Sequence, residues 1–116
     1  MKIVKFEDIL AWQKAKELSI LSYKLFRSNR DFKFRDQILS ASVSVMNNIA
    51  EGFDRGGDKE FSRFLIMSKG SCGEVKSMMY LALELKYVTQ NDFKKIYNLS
   101  VEISKMLNGL IKYLKE

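Results

Sequence analysis

The stretch NNIAEGFDRGGDKEF, residues 47–61, decides how this chain folds. Apolar residues at helical spacing run through its first half to Phe53, and Gly56 and Gly57 then interrupt the pattern before Asp58. Glycine commonly ends a helix and forms the turn after it, and aspartate is a favoured N-cap. The stretch therefore predicts a joint between two helices, with Asp58 as the N-cap of the second.

Four helical segments are predicted outward from this joint, because apolar residues recur every three or four positions on both sides of it. The segments run from about Phe6 to Ser28, Phe34 to Phe53, Asp58 to Lys86 and Gln90 to Tyr113. The chain contains no proline and only 6 glycines, so little interrupts these helices. Long helices with short connections predict an all-α fold: one antiparallel up-down-up-down four-helix bundle, a single domain over residues 1–116.

The third segment carries the clearest core seam. Its inward positions are Phe61, Leu65, Ser68, Cys72, Val75, Met79 and Ala82. The spacing is that of a left-handed bundle. The second segment is apolar on several sides and has small serines between, which predicts a buried helix that packs closely against its neighbours.

A second apolar stripe on the first segment lies almost opposite its inward face. It consists of Ile9, Trp12, Ile20 and Tyr23. Large apolar residues on the outer face of a small bundle mark a contact with another chain or element. We therefore expect this stripe to contribute to a contact between subunits.

The net charge of +6 and the pI of about 9.4 make polyanions plausible partners. Three basic groups stand out. The first, at the connection between segments one and two, is Lys24, Arg27, Arg30, Lys33 and Arg35; the second is Arg55, Lys59 and Arg63; the third is Lys94, Lys105 and Lys112. Phe32 and Phe34 beside the first group either stack on bases or anchor the connection to the core.

The residue inventory argues against an enzyme. The chain has no histidine, which excludes histidine-based triads and most transition-metal sites. The single cysteine, Cys72, is interpreted as a small buried hydrophobe. Glu51 with Glu74 is the one carboxylate pair that suggests a metal, and we favour no metal and no cofactor. The absence of a signal-peptide pattern and of a long apolar run predicts a cytoplasmic protein without a membrane partner.

Polar residues near the joint have two interpretations. Asn48, Glu51 and Arg55 follow at helical spacing, so they share one helix face. They either line a polar pocket or form a structural network that fixes the turn, joined by Ser71 or Glu74. We favour the structural network. A minor alternative places an anion at Arg55 and Lys59, beside the start of the third helix.

Four pieces of the chain carry a family resemblance: FEDILAWQKAKEL (6–18), DQILSASVSVMNNIAEGFDRG (36–56), EFSRFLIMSKGSCGEVKSMMYLA (60–82) and LNGLIKYL (107–114). With them the chain resembles the bacterial four-helix-bundle family also called 23S rRNA intervening-sequence proteins. The resemblance implies a four-helix bundle able to form a ring-shaped homopentamer. It also implies kinship with a basic accessory protein of diversity-generating retroelements, which binds nucleic acid and a reverse transcriptase. Gly73 and Lys76 depart from the expected pattern.

Two functions follow from these observations. The leading hypothesis is a non-enzymatic homo-oligomer, a pentamer by resemblance, that binds RNA or another nucleic acid electrostatically. The alternative is a protein-interaction scaffold that binds a reverse transcriptase or another protein partner and has no nucleic-acid binding of its own. A salt-dependent affinity for RNA distinguishes the two.

Overall fold

The computed structural model describes residues 2–115 and consists of one short 3₁₀ turn followed by four α-helices. The turn is Phe6–Asp8, and the helices are α1 (Leu10–Phe26), α2 (Phe32–Asp54), α3 (Asp58–Glu84) and α4 (Gln90–Lys115). Each of α1 and α3 packs against both α2 and α4, so α1 lies diagonally opposite α3. The prediction of an all-α bundle of four helices is confirmed.

Where two neighbouring helices touch, the residue numbers rise along one helix as the numbers of their partners fall along the other. On α2 and α3, Gln37 bonds Glu74, while Val45 further along α2 accepts a bond from the earlier residue Ser68. The pairs between α1 and α2 and between α3 and α4 follow the same rule. This is the contact order that an up-down bundle gives. The α1–α2 and α3–α4 connections therefore share one end, here called the corner end. The α2–α3 connection lies at the other, the turn end.

The start of the first helix differs from the prediction. The helix begins at Leu10 rather than Phe6, because residues 6–8 form the 3₁₀ turn and Ile9 has extended backbone angles. The side chain of Gln13 donates to the carbonyl of Glu7 at 2.9 Å, which holds the turn against the first turn of α1. The change of backbone at Ile9 alters the direction of every side chain before Leu10.

The two central boundaries also shift. Helix α2 begins at Phe32, earlier than predicted, because the Asp31 carboxylate accepts the backbone N–H of Phe34 at 3.2 Å and caps the helix. Helix α3 is preceded by Gly57 as its N-cap, so Asp58 is the first helical residue instead of the cap. Gly56 and Gly57 have φ of 75° and 90°, which is the left-handed region that glycine enters without strain.

The core follows the predicted seams closely. All seven seam residues of α3 are buried, and the α4 residues Ile96, Ser100, Ile103 and Leu107 face them. Buried hydroxyl and thiol groups link adjacent helices. Ser42 donates to Ser22 at 2.8 Å, and Cys72 Sγ donates to the carbonyl of Ser100 at 3.1 Å. Every buried side-chain nitrogen or oxygen in residues 2–115 has a partner, so these polar groups do not carry an unpaired desolvation cost.

Candidate nucleic-acid interface

The corner end carries a group of five cations, four of which form no ion pair within residues 2–115. The group, here called the basic corner, is Lys24, Arg27, Arg30, Lys33 and Arg35, as predicted. All of them except Arg35 are exposed. Within residues 2–115, only Arg35 of this group forms an ion pair, with Asp36 at 2.8 Å. The last turn of α1, the connection and the first turn of α2 thus present four cations to solvent.

The acidic residue in the middle of the basic corner is held by groups of the protein itself. Asp31 accepts the phenolic hydroxyl of Tyr87 at 2.6 Å and the backbone N–H of Phe34. Both bonds, the one from Tyr87 first, hold the pKa of Asp31 below its ordinary value, and the pKa of Tyr87 is raised by the same contact. The Asp31 carboxylate is therefore hydrogen-bonded to Tyr87 of the α3–α4 connection and forms no ion pair with the surrounding cations.

The two phenylalanines of the basic corner have different roles. Phe34 is 5% exposed and makes edge contacts with Phe26 and Tyr87, so it anchors the connection to the core and cannot stack on a base. Phe32 is 60% exposed, and the guanidinium of Arg35 lies 4.7 Å from its ring centroid. One face of Phe32 is thus covered by a cation.

In the second predicted basic group, the charges of Arg55 and Arg63 are compensated, and Lys59 is exposed without an ion pair within residues 2–115. The Arg55 guanidinium lies 2.9 Å from Glu51 and 3.6 Å from Glu60. Arg63 pairs with the same Glu60 at 2.8 Å, and this hydrogen bond is the main reason that the pKa of Glu60 is lowered. Both guanidiniums also lie over the Phe64 ring. This group stabilises the turn end, so it offers less free charge to a polyanion than the basic corner does.

The third basic group lies on α4. Lys94, Lys105 and Lys112 are exposed and follow one another along a single side of the helix. No carboxylate within residues 2–115 forms an ion pair with any of the three. They lie on the side of α4 opposite its buried residues Ile96, Ile103 and Leu107, so the row faces outward; Asn108 beside it accepts the side chain of Lys69 of α3 at 3.0 Å.

The predicted polar network of Asn48, Glu51, Arg55, Ser71 and Glu74 is not one network. Asn48 donates to the carbonyl and hydroxyl of Ser44, and Ser71 donates to the same hydroxyl at 2.9 Å. Glu51 and Arg55 form a separate exposed pair. Glu74 accepts from Gln37 instead. The five residues thus take part in three separate contacts, and only the Glu51–Arg55 pair lies at the joint itself.

The suggested metal pair of Glu51 and Glu74 is wrong. Glu74 contacts Gln37, which precedes Glu51 on α2 by roughly 21 Å of helix axis at 1.5 Å per residue. No group of three or more potential metal ligands comes together among residues 2–115.

Cys72 is fully buried, as predicted, and its burial raises the pKa of the thiol. None of the helices in residues 2–115 combines the length and apolarity required to cross a bilayer.

The predicted contact stripe on α1 is corrected at one position. Ile9 is 3% exposed and belongs to the core, because the extended backbone before α1 directs its side chain inward. Trp12 is half-buried and contacts the edge of Phe6. Ile20 and Tyr23 are exposed, at 46% and 44%. Of the predicted stripe, Ile20 and Tyr23 are therefore the exposed members and are here called the α1 patch; Leu10, at the start of α1, is also exposed.

A larger exposed apolar set on α3 was missed from the sequence. Its members are Ile66, Met67, Tyr80, Leu81 and Leu85, each at least 44% exposed. Ile66, Met67, Leu81 and Leu85, the C-cap residue of α3, are here called the α3 patch; its two halves are separated by roughly 21 Å of helix. The signal was present, since these residues occupy positions opposite the core seam where a solvated helix normally carries charge. The prediction for α3 concerned only its buried seam and gave no role to the exposed side of the helix.

Comparisons with known proteins agree with this fold. A family described as 23S rRNA-intervening sequence protein matches residues 7–109. A solved structure from Bacteroides thetaiotaomicron VPI-5482, described as a protein with unknown function from the S23 ribosomal protein family, superposes with a TM-score of 0.84. It is 24% identical and covers 89% of this chain and 99% of its own. No match was found among curated proteins.

Proposed function

Since the chain belongs to the 23S rRNA-intervening sequence protein family, we propose that it is a non-enzymatic, self-associating bundle that binds RNA through its basic corner. The observation that carries the proposal is the set of four exposed cations around Asp31, a carboxylate that is hydrogen-bonded within the protein. The fold and the net charge of +6 agree with it.

Phosphate binding is the chemistry that this surface supports. Arginine and lysine side chains on a convex end contact the backbone of a nucleic acid, and the released counterions make such binding strongly salt-dependent. Contacts of this kind position the RNA without reading its sequence. We therefore expect affinity for RNA of many sequences, with little selectivity at the basic corner itself.

Self-association is the second part of the proposal. The α1 patch and the α3 patch lie on diagonally opposite helices. Two different patches on opposite sides suit a head-to-tail contact, which produces a ring when the rotation between subunits closes. The pentamer that the family resemblance implies would place five basic corners in one particle. Repetition would raise the avidity for a long RNA far above that of one subunit.

The exposed α3 patch also favours a second candidate function, a scaffold that binds a protein partner and no RNA. Apolar residues exposed on a helix suit docking of another protein as well as they suit self-association. The two functions differ in their response to RNA and salt, so one experiment separates them.

The test measures the affinity of a short RNA hairpin by fluorescence anisotropy at about 50 and 200 mM salt, the range over which phosphate contacts lose most of their strength. The variant Arg27→Glu/Arg30→Glu reverses two cations of the basic corner. The matched control Lys2→Glu/Lys5→Glu makes the same change in net charge at exposed positions near the turn end. We expect the corner variant to lose at least about tenfold in affinity and to show a shallower salt slope. The control should lose much less.

Equal losses in the two variants would mean that net charge alone matters and would refute the basic corner as the site. Absence of binding by the wild-type protein at low salt would refute the RNA function and leave the scaffold. Light scattering on the same samples tests self-association separately.

A further inference from the structure

Three aromatic rings meet on the surface between α3 and α4, near the corner end. The Tyr80 ring centroid lies 5.2 Å from that of Phe93 and 5.7 Å from that of Tyr97. Phe93 and Tyr97 are stacked at 5.5 Å with an interplanar angle of 22°. Tyr80 is 57% exposed, and the other two rings are half-buried. These rings, here called the ring cluster, are not used by the basic corner.

Lysines of α3 line the same surface. Lys69 of α3 reaches across to Asn108 of α4. Lys76 lies one turn after Cys72, whose thiol bonds the carbonyl of Ser100, so Lys76 is also on the α4 side of its helix. Tyr80 of the ring cluster follows one turn later. The α4 edge of α3 thus presents two lysines and then an exposed ring.

The α4 lysines form a second row beside the groove. Lys94 is three residues from Tyr97, and Lys105 and Lys112 are three and four residues from Asn108. Residues at these spacings are neighbours on a helix surface. The row spans about 27 Å of helix from Lys94 to Lys112 and lies on the outer side of α4, opposite the buried Ile96, Ile103 and Leu107. Lys69 and Lys76 therefore border the groove itself, and the three α4 lysines follow it on the outer surface from the ring cluster onward.

Few carboxylates lie on the middle part of the groove. Glu74 bonds Gln37 on the α2 side of α3. Asp92 and Glu102 are each five residues from Tyr97 and so lie on another side of α4, but Glu102 is three residues from Lys105 and is its neighbour on the helix. Glu84, one turn beyond Tyr80, marks the corner end of the groove. At the turn end, Asp58 and Glu60 line the same α3–α4 surface together with Lys59 and Arg63. The excess of positive charge is therefore confined to the stretch from Lys69 to the ring cluster.

We propose that this α3–α4 groove is a track for single-stranded RNA, in which bases stack on the ring cluster and phosphates follow the lysines. The inference rests on the proposed function and deepens it. A positive groove combined with exposed rings is the arrangement that binds unpaired nucleotides, because only a splayed base can offer its face to a side chain. In the basic corner, by contrast, Phe34 is buried and one face of Phe32 already carries the guanidinium of Arg35. The basic corner therefore accepts phosphates of any RNA, and the groove distinguishes single strands from duplexes.

The test compares two RNAs on the intact protein: an unstructured single strand and the duplex formed from it and its complement. Tyr80→Leu removes an exposed ring but keeps an apolar side chain, and Phe32→Leu is the matched control at an exposed ring of the basic corner. A second variant, Lys94→Gln/Lys105→Gln, removes charge from the α4 row beside the groove without touching the rings. Circular dichroism checks that each variant is folded.

We expect Tyr80→Leu to weaken single-strand binding by about tenfold, the loss typical of one stacked base, and to leave duplex binding unchanged. Phe32→Leu should change neither. The double lysine variant should lower single-strand affinity and its salt slope. Wild-type protein that binds RNA but shows no effect of Tyr80→Leu would overturn the track and leave the proposed function intact. Failure of the wild type to bind either RNA at low salt would overturn both.

Discussion

Gly52 lies so close to Phe64 that the Cβ of this phenylalanine occupies the space where a side chain at position 52 would begin. The ring carbon Cγ of Phe64 lies 3.2 Å from that position, and Cδ1 of Phe61 lies 3.4 Å from it. The motif NIAEG therefore ends in glycine because α3 leaves no room for a side chain on α2 at this position. Phe64 in turn lies beneath the guanidiniums of Arg55 and Arg63.

Replacing this glycine should destabilise the bundle. In Gly52→Ala the new methyl group meets the rigid Cβ of Phe64, which cannot move away without shifting α3. Overpacking of this kind costs about 1–3 kcal/mol of unfolding free energy. Gly70→Ala is the matched control, since a methyl group there meets nothing within 4 Å in the middle of an exposed helix face. That variant should be more stable by about 0.5–1 kcal/mol. Denaturant unfolding measures both, and equal effects would contradict the close approach.

Removing the Tyr87 hydroxyl should raise the pKa of Asp31. The bond from Tyr87 is the largest cause of its lowered pKa, so Tyr87→Phe should move the carboxylate towards its ordinary value of 3.8. NMR titration of Asp31 measures the shift. Tyr23→Phe serves as the control, because Tyr23 is exposed on another helix. An unchanged Asp31 pKa in Tyr87→Phe would refute the contact.

The free energy of unfolding should fall at both low and high pH, because the pKa of Asp31 is lowered and that of Tyr87 is raised in the folded protein. The pKa of Asp31 is lower in the folded state, so its contribution is complete above pH 3.8 and is lost as the pH falls through the folded value. The pKa of Tyr87 is raised, so its contribution is present below pH 10 and is lost as the pH rises through the folded value. Unfolding of wild-type protein and Tyr87→Phe across pH should show a difference in stability near neutrality that shrinks at both extremes.

Cys72 should react slowly with thiol reagents in the folded protein. Its side chain has no exposed area, and burial raises the pKa of the thiol, so little thiolate is present or accessible at neutral pH. Disulfide exchange with a coloured reagent should be slow until denaturant opens the α3–α4 contact, and it should then reach the rate of a free thiol. The guanidinium-unfolded chain provides that reference. A fast reaction in native buffer would contradict the buried position.

The two apolar patches should both be needed for self-association. Tyr23→Glu places a charge on the α1 patch, and Leu81→Glu places one on the α3 patch. Each variant should lower the mass measured by light scattering, because burying an unpaired carboxylate in a subunit contact is costly. Asn98→Glu on the polar exposed face of α4 is the control and should leave the mass unchanged. Persistence of the wild-type oligomer in both patch variants would refute this interface.

The sequence predicted best what depends on periodicity alone. The α3 seam from Phe61 to Ala82 is fully confirmed, since burial on a regular helix repeats every three to four residues. The prediction failed where the helix itself was not regular. Ile9 seemed to face outward because its position was counted as helical, while the 3₁₀ turn and the extended backbone at Ile9 change its direction.

Contacts between helices were harder to predict than contacts along one helix. The pair of Glu51 and Arg55 follows from a spacing of four residues and is found. The partner of Ser71 depends on how far α3 is displaced along α2, and no spacing within either helix gives that displacement. Ser44, rather than Glu51 or Glu74, proved to be its partner. The ion pair of Arg55 with Glu60 likewise depends on the path of the turn between α2 and α3, whereas the pair of Arg63 with Glu60 lies within α3.

The hydroxyl and thiol groups inside the bundle also affect how uniquely the helices are aligned along one another. Aliphatic seams tolerate sliding, because one leucine replaces another when two helices shift by a turn of 5.4 Å. Ser68 and Cys72 donate to backbone carbonyls, which recur at every turn of the neighbouring helix. Ser42 donates to one hydroxyl, that of Ser22, and a slide of one turn would separate this pair. The shifted packing would then contain desolvated hydroxyl groups without their partners. The Ser22–Ser42 pair thus widens the energy gap between the native alignment of α1 and α2 and its shifted competitors, which is the property that lets a sequence fold to one structure.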